Sequence, residues 1–453
     1  VEEATGLQLM LAFEGTQPPP EVLAWLTTHP TAGFTLFRHH NVENPAQVRG
    51  LTAALQAAAT EAGHPPLLIA ADQEGGQLVA LGEGTTAFPG NMALGATGDA
   101  DLARRVGYAL GRELAAMGIN VDYAPVCDVN TNLQNPNVGV RAFGDDPALV
   151  GQMAAAMIGG LQAAGVAATA KHFPGNGDSS LDPHDGVPVL AHDLDRLGEV
   201  ELPPFQAAID AGVRLVMTGH VAVPAITGDP ALPATLSRII MRDLLREEMG
   251  FAGLLISDAF DMRAISQGSG QIVDAIAAIR AGVDLLVLPA NADVQERIYH
   301  GLWLALSRGL VTKRHLRPSL ERELALKRWV AEQEQPDLAV VGCAKHRRLE
   351  QEVARRAVTL VRDNSSLLPL HLPADAAVAA ITPEPQDLTP ADTSSYVRPA
   401  MAKALRAYHP RVDEFITSQP PASTEIAALR ERAAEYDLLV VGTISAHPVS
   451  YTH

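Results

Sequence analysis

At 453 residues the chain exceeds one ordinary domain, and its formal net charge of −18, with no long basic block, excludes nucleic acid as a partner because phosphate binding relies on clustered Lys and Arg. Cys127 and Cys343 stand far apart and in no metal-ligand spacing, so neither a disulfide framework nor a zinc knuckle is indicated. No apolar span reaches membrane length and the opening VEEATG lacks the segments of a secretory leader, so a cytoplasmic protein with a small neutral or weakly charged substrate is expected; the oligomeric state is left open.

Eight short apolar runs recur in chain order: LQLMLAF (7–13), GFTLF (33–37), PLLIA (66–70), VDYAPV (121–126), VAATA (166–170), RLVMT (214–218), GLLIS (253–257) and VDLLVL (283–288). Between them lie amphipathic stretches such as DLARRVGYALGRELAAMG and QIVDAIAAIRAG, with apolar residues at helical spacing and a Gly near the end. Continuous apolar strands indicate a parallel sheet buried on both faces, and eight strand–helix units are the count of a (β/α)8 TIM-type barrel. A doubly wound open sheet is the alternative, disfavoured because no Gly-rich dinucleotide fingerprint follows the first strand.

From about Leu306 the pattern changes to a charged helical stretch, KRHLRPSLERELALKRWVAEQEQ, which predicts a connector out of the barrel. Beyond it VTLVRDNSSLLPL, AAVAAIT, MAKALRAYHP, VDEFI, EIAALRERAAEY and DLLVVGTIS alternate strand and helix again, predicting a smaller α/β sandwich. The expected domains are 1–335 and 336–453, the second incomplete because no helix follows its last strand.

Polar residues gather where the apolar runs end: IAADQEGG after the third, APVCDVN after the fourth, ATAKHFPG after the fifth, VMTGH after the sixth and ISDAFDM after the seventh. In a barrel these ends converge on one face, where the active sites of this fold lie. The segment KHFPGNGDSSLDPHDGVPVL (171–190), too broken for a helix or strand, is then a loop facing a cluster of carboxylates. Asp258 stands at the seventh strand end as a carboxylate; it could cap the next helix, although Asp261 is better placed for that.

KHFPGNGDSSLDPHDGVP, DQEGG, FPGNMALGATGD, APVCDVN, VRAFGDD and ISDAFDM together resemble glycoside hydrolase family 3, in its bacterial β-N-acetylglucosaminidase branch, over about residues 5 to 335. The resemblance implies a retaining exo-acting enzyme that removes terminal β-linked N-acetylglucosamine, as from peptidoglycan fragments, without metal or cofactor. It makes Asp258 the nucleophile and His184, paired with Asp182, the general acid/base. Asp72, Arg141, Lys171 and His172 would bind the sugar, while Asn130, His220 and Met262 lie at strand ends and line the pocket. A histidine can replace the usual second carboxyl because it titrates near neutral pH and a neighbouring carboxylate raises its pKa. For Lys171 and Asp72 a purely structural ion pair is the competing reading.

The chain departs from the branch at Gln77 and Ala80, where arginines are usual, and at Asn176, where PGHG becomes PGNG. Sugar specificity is therefore less determined than mechanism, and a β-glucosidase or a β-N-acetylglucosaminide phosphorylase is the alternative within the family. Outside it, His172, Asp178, Asp182, His184 and Asp258 could ligate a metal in an amidohydrolase, a reading weakened by the lack of a His-x-His strand. A silent sugar-binding protein is the third reading.

Overall fold

A computed structural model describes residues 2–387 and 389–443. They fall into two compact units, Val1–Ala357 and Val358–His453. In the first, eight parallel strands close a barrel in sequential order: β1 (Leu9–Leu11), β2 (Gly33–Thr35), β3 (Leu68–Ala71), β4 (Val121–Asp122), β5 (Ala167–Phe173), β6 (Leu215–Thr218), β7 (Leu254–Ala259) and β8 (Leu285–Val287), with β8 hydrogen-bonded to β1. The expected (β/α)8 architecture is thus present.

Side-chain alternation divides each strand between two cores. Met10, Leu68, Ala70, Val121, Leu215, Met217, Leu254 and Ile256 fill the barrel interior, whereas Ile69, Ala71, Ala168, Val216 and Leu255 pack outward against the helices. Continuing the inward series by two residues past Ala70 and Ile256 reaches Asp72 and Asp258, and continuing it along β5 from Ala167 reaches Lys171. Strand periodicity alone therefore aims three charged groups at the barrel mouth.

The surrounding helices start at identifiable caps. Asp99 Oδ1 accepts the Leu102 N–H at 3.1 Å to open the Ala100–Ala116 helix, and Asp146 Oδ1 accepts the Leu149 N–H at 2.8 Å to open Pro147–Ala163. These two helices approach closely because Gly107 and Gly160 lie at their crossing: a Cβ on Gly107 would stand 2.4 Å from the Met157 carbonyl oxygen, and one on Gly160 2.1 Å from that of Arg104. The Ala344–Ala357 helix packs on the same unit, its buried His346 hydrogen-bonded through Nδ1 to Glu113 at 2.7 Å. The sequence pattern places the boundary at 335/336, whereas the division between the two units falls at Ala357/Val358.

The second unit holds a three-stranded parallel sheet of β9 (Val378–Pro383), β10 (Val412–Thr417) and β11 (Leu438–Val441), with β9 in the centre and Val378, Ala380, Ala402 and Val412 as its core. The segment VTLVRDNSSLLPL, read as a strand from its apolar residues, forms none: Val358, Leu360, Val361, Leu367 and Leu368 are exposed, and no strand among the described residues pairs with them. The end of DLLVVGTIS, Ile444 and Ser445, lies outside the described residues. No helix among the described residues is long and apolar enough to cross a membrane.

Candidate active site

The inward charges meet in a buried cluster. Lys171 Nζ lies 2.6 Å from Asp72 Oδ1 and 2.6 Å from Glu74 Oε1, and Glu74 takes a two-pronged hydrogen bond from Arg141, at 3.0 Å from Nε and 2.7 Å from Nη2. Arg141 also donates to Asn137 Oδ1 at 2.6 Å. Glu74, Lys171 and Arg141 are buried; Asp72 is partly accessible, its side chain 24% exposed, and keeps acceptor capacity toward the mouth. The Lys171–Asp72 ion pair considered from sequence exists, and it leaves the carboxylate within reach of a ligand.

Glu74 was not singled out in the sequence, although it stands in DQEGG two residues from Asp72 and thus on the same side of an extended segment. Burial pushes its carboxyl up, but Arg141 and Lys171 outweigh this and hold it at about 2. Glu74→Ala leaves two buried cations without their shared counter-charge and is expected to cost about 3–5 kcal/mol of stability. Denaturant unfolding checks this, and a loss below about 1 kcal/mol would mean water or Asp72 compensates.

Asp122, at the end of β4, behaves in the opposite way. It is fully buried, Oδ1 accepts the Gln73 N–H at 3.0 Å, and Oδ2 has no hydrogen-bond partner. Burial raises its pKa well above the ordinary carboxylate value, and Asp72 and Glu74 act in the same direction against Lys171. A raised folded pKa means that the native state binds more protons than the unfolded one, so this group costs stability as pH climbs through and above the ordinary carboxylate range. Asp122→Asn keeps the acceptor for Gln73 and removes that cost. The variant should match the parent near pH 4 and gain on it by up to about 1.4 kcal/mol per pH unit above that. Parallel urea titrations at pH 4 and pH 8 test this; an equal difference at both would show that Asp122 is ionised in the fold.

His172 follows Lys171 and is fixed by Asp128, whose Oδ2 lies 2.7 Å from Nδ1 and whose Oδ1 accepts the His172 N–H at 3.2 Å and the Asn176 N–H at 2.8 Å. Asp128 is the second residue not singled out, although it stands in APVCDVN. Asn176 is buried and structural here: its side chain accepts from Ser179 Oγ at 2.7 Å and its carbonyl from Asn135 at 2.6 Å.

The loop beyond Asn176 carries a second Asp–His pair. Asp182 Oδ1 lies 2.6 Å from His184 Nδ1 and accepts the His184 N–H at 2.9 Å, while Asn137 Nδ2 donates to Asp182 Oδ2 at 3.2 Å. With Nδ1 held, Nε2 is the ring nitrogen left for a ligand. Burial lowers the His184 pKa, but its hydrogen bond to Asp182, the Asp182 charge and the charges of Asp258 and Asp261 overcome this and raise it. The Pro183 carbonyl accepts the Ala264 N–H at 3.0 Å, tying this loop to the segment after β7.

Asp258 ends the inward series of β7, its Oδ1 accepting the Ala259 N–H at 2.8 Å. Burial raises its pKa, but the His172 imidazole, the Ala259 N–H and Lys171 more than offset this, so the carboxyl lies below its usual range. His220 is fully buried between Thr235 Oγ1, at 2.7 Å from Nδ1, and the Ala259 carbonyl, at 3.1 Å from Nε2, so it supports the strand end behind Asp258. Met262 is buried, its N–H directed at the Ala259 carbonyl, and Asn130 is buried with Oδ1 unpaired. Asp178 is drawn away to His192 and Thr131. Among the described residues no group of three or more His, Cys, Asp or Glu is arranged to hold a metal ion.

The two other departures also have locations. Ala80 is buried in the outer core with its N–H on the Asp72 carbonyl at 3.0 Å, and Gln77 is half-buried in the turn between the short strands Gln73–Gly75 and Leu78–Val79. Beside this hairpin Arg38 Nη1 donates to the Val79 carbonyl at 3.1 Å.

A closed α/β barrel whose C-terminal strand ends hold carboxylates, buried cations and two Asp–His pairs has its candidate site on the face where the active sites of this fold lie. The chain belongs to glycosyl hydrolase family 3: the model of the glycosyl hydrolase family 3 N terminal domain matches residues 3–326. It is 38% identical over 381 residues to beta-hexosaminidase A of Pseudoalteromonas piscicida, covering 78% of this chain and 63% of that one. It is 33% identical over 365 residues to a beta-N-acetylglucosaminidase/beta-glucosidase of Cellulomonas fimi, with the same coverage. The chain therefore spans less than two thirds of the length of these two curated relatives. Among solved structures, the family 3 beta-N-acetylglucosaminidase from Paenibacillus sp. str. FPU-7 superposes with a TM-score of 0.91 at 34% identity, over 98% of this chain and 85% of that one.

Proposed function

We propose that this chain is a retaining, exo-acting β-N-acetylglucosaminidase that removes terminal non-reducing β-linked N-acetylglucosamine, with peptidoglycan fragments as its natural substrates. The observation that carries the proposal is the Asp182–His184 pair, with Nδ1 committed and Nε2 available, on a loop tied to the segment that follows Asp258. The names of the P. piscicida, C. fimi and Paenibacillus relatives support the same substrate class.

In this reading an Asp258 oxygen attacks the anomeric carbon as the glycosidic C–O bond breaks, and the departing oxygen takes the proton from His184 Nε2. The lowered pKa of Asp258 favours its ionised form and the raised pKa of His184 favours its protonated form, which is the division of labour the first step requires. His184 Nε2 then takes a proton from water, whose oxygen displaces Asp258 from the sugar and regenerates both groups. Asp72 accepts from sugar hydroxyls, and Lys171, Arg141 and His172 hold the clamp in place.

Turnover of nitrophenyl β-N-acetylglucosaminide against nitrophenyl β-glucoside tests the sugar, and a preference for the glucoside would move the chain to the β-glucosidase reading. Running the reaction with and without inorganic phosphate tests the acceptor, since a sugar 1-phosphate product would identify a phosphorylase.

A further inference from the structure

A cavity lies away from the strand ends, between the Ala100–Ala116 and Ala344–Ala357 helices of the first unit. It measures about 380 Å³ and is lined by Arg104, Tyr108, Lys345, His346, Arg348 and Leu349, among others. This is within the range of small-ligand pockets, roughly 300–1,000 Å³. In a chain of net charge −18 its lining is conspicuously basic.

The cations divide into two sorts. Arg105, also on the lining, is neutralised by Glu352 through a two-pronged contact at 3.0 and 2.7 Å. Arg104 pairs with Asp101 at 2.7 Å, but both side chains are more than half exposed, so that pair is weak and easily redirected. Lys345 and Arg348 have no acidic partner among the described residues, which leaves two uncompensated positive charges at one cavity. The remaining lining is apolar or aromatic: Leu349 and Ala109 are buried, and Tyr108 is partly exposed. His346 is buried on the same lining and immobilised by Glu113, which also takes the Gly342 N–H at 3.1 Å and both the N–H and hydroxyl of Thr86, so one wall is pre-organised.

We propose that this cavity is a binding site for a small phosphate monoester bearing an apolar group. The doubly charged phosphoryl group matches the two free cations of Lys345 and Arg348, with Arg104 able to add a third donor, and the apolar group matches Tyr108, Ala109 and Leu349. The site is separate from the sugar chemistry and rests on none of the residues assigned to it.

Isothermal titration of the full chain with phenyl phosphate at low salt, in excess N-acetylglucosamine to occupy the sugar site, tests the proposal. Saturable binding is expected, weakened at least about tenfold by Lys345→Ala with Arg348→Ala and weakened again by added salt. Both side chains are exposed, so the double variant should fold and keep the parent's glycosidase rate, which serves as the control. The absence of saturable heat, unchanged affinity in the double variant, or displacement of phenyl phosphate by the sugar would each overturn the site. Benzoate binding as tightly as phenyl phosphate would overturn the assignment to phosphate.

Discussion

Asp258→Asn is expected to lower kcat on every glycoside, activated or not, by about 10⁴-fold or more, because no leaving group removes the need for a nucleophile on the opposite face of the sugar. The fold should survive the substitution: the amide oxygen can still accept the Ala259 N–H, and Asp258 is in no side-chain ion pair among the described residues. Because the lowered pKa of Asp258 means that its charge favours the fold, the variant should lose some stability at neutral pH, yet unfolding curves should show it folded under assay conditions, so instability does not account for the loss. Asp258→Ala adds a stereochemical test. Azide admitted to the vacated position attacks the anomeric carbon directly and gives the α-glycosyl azide, whereas the parent, passing through two displacements, releases the β-sugar first. Activity of Asp258→Asn within tenfold of the parent, or initial release of the α-sugar by the parent, would remove Asp258 from the nucleophile's role.

The barrel was legible because its strands announce themselves twice, as apolar runs and as polar ends. Leu254–Leu255–Ile256 divides between the inner and outer cores by simple alternation, and Asp258 follows two residues after Ile256 on the inward side. Asp72 and Lys171 were named from the motifs DQEGG and KHFPG, and the fold places them on the same inward series. Glu74 and Asp128 were missed because their importance lies in pairings that a linear pattern does not encode: Glu74 meets Arg141 67 positions on, and Asp128 meets His172 44 positions on. What makes Glu74 consequential is the burial of two cations beside it, a property of the folded barrel alone. The opposite error occurred at Val358–Leu370, whose apolar residues resemble a strand. Hydrophobicity specifies a strand only where another strand supplies the hydrogen bonds, and here none among the described residues does. Asn176 shows how a departure from a family motif can be absorbed: it anchors its loop through Ser179, Asn135 and Asp128.

His184→Ala should separate substrates by the basicity of the oxygen that departs. Natural disaccharides, which leave as alkoxides unless protonated, should lose about 10²–10⁴-fold in kcat/KM, while a nitrophenyl glycoside, which leaves as a stable anion, should form the glycosyl-enzyme at nearly the parent's rate. Hydrolysis of that intermediate still needs a base, so the nitrophenyl substrate should show a burst followed by slow turnover, with the sugar's mass retained on Asp258. The pH profile carries the same information. In the parent, kcat/KM should fall on the acid side through a carboxyl below its usual range and on the alkaline side through an imidazole above its usual range. Because the hydrogen bond to Asp182 and its charge are what raise His184 against the lowering effect of burial, Asp182→Asn should move the alkaline limb to lower pH while leaving the acid limb in place. His184→Ala should erase the alkaline limb for the nitrophenyl substrate altogether. Equal losses on natural and nitrophenyl glycosides, with no burst and an alkaline limb that survives, would show that the proton comes from another group and that the Asp182–His184 loop only binds.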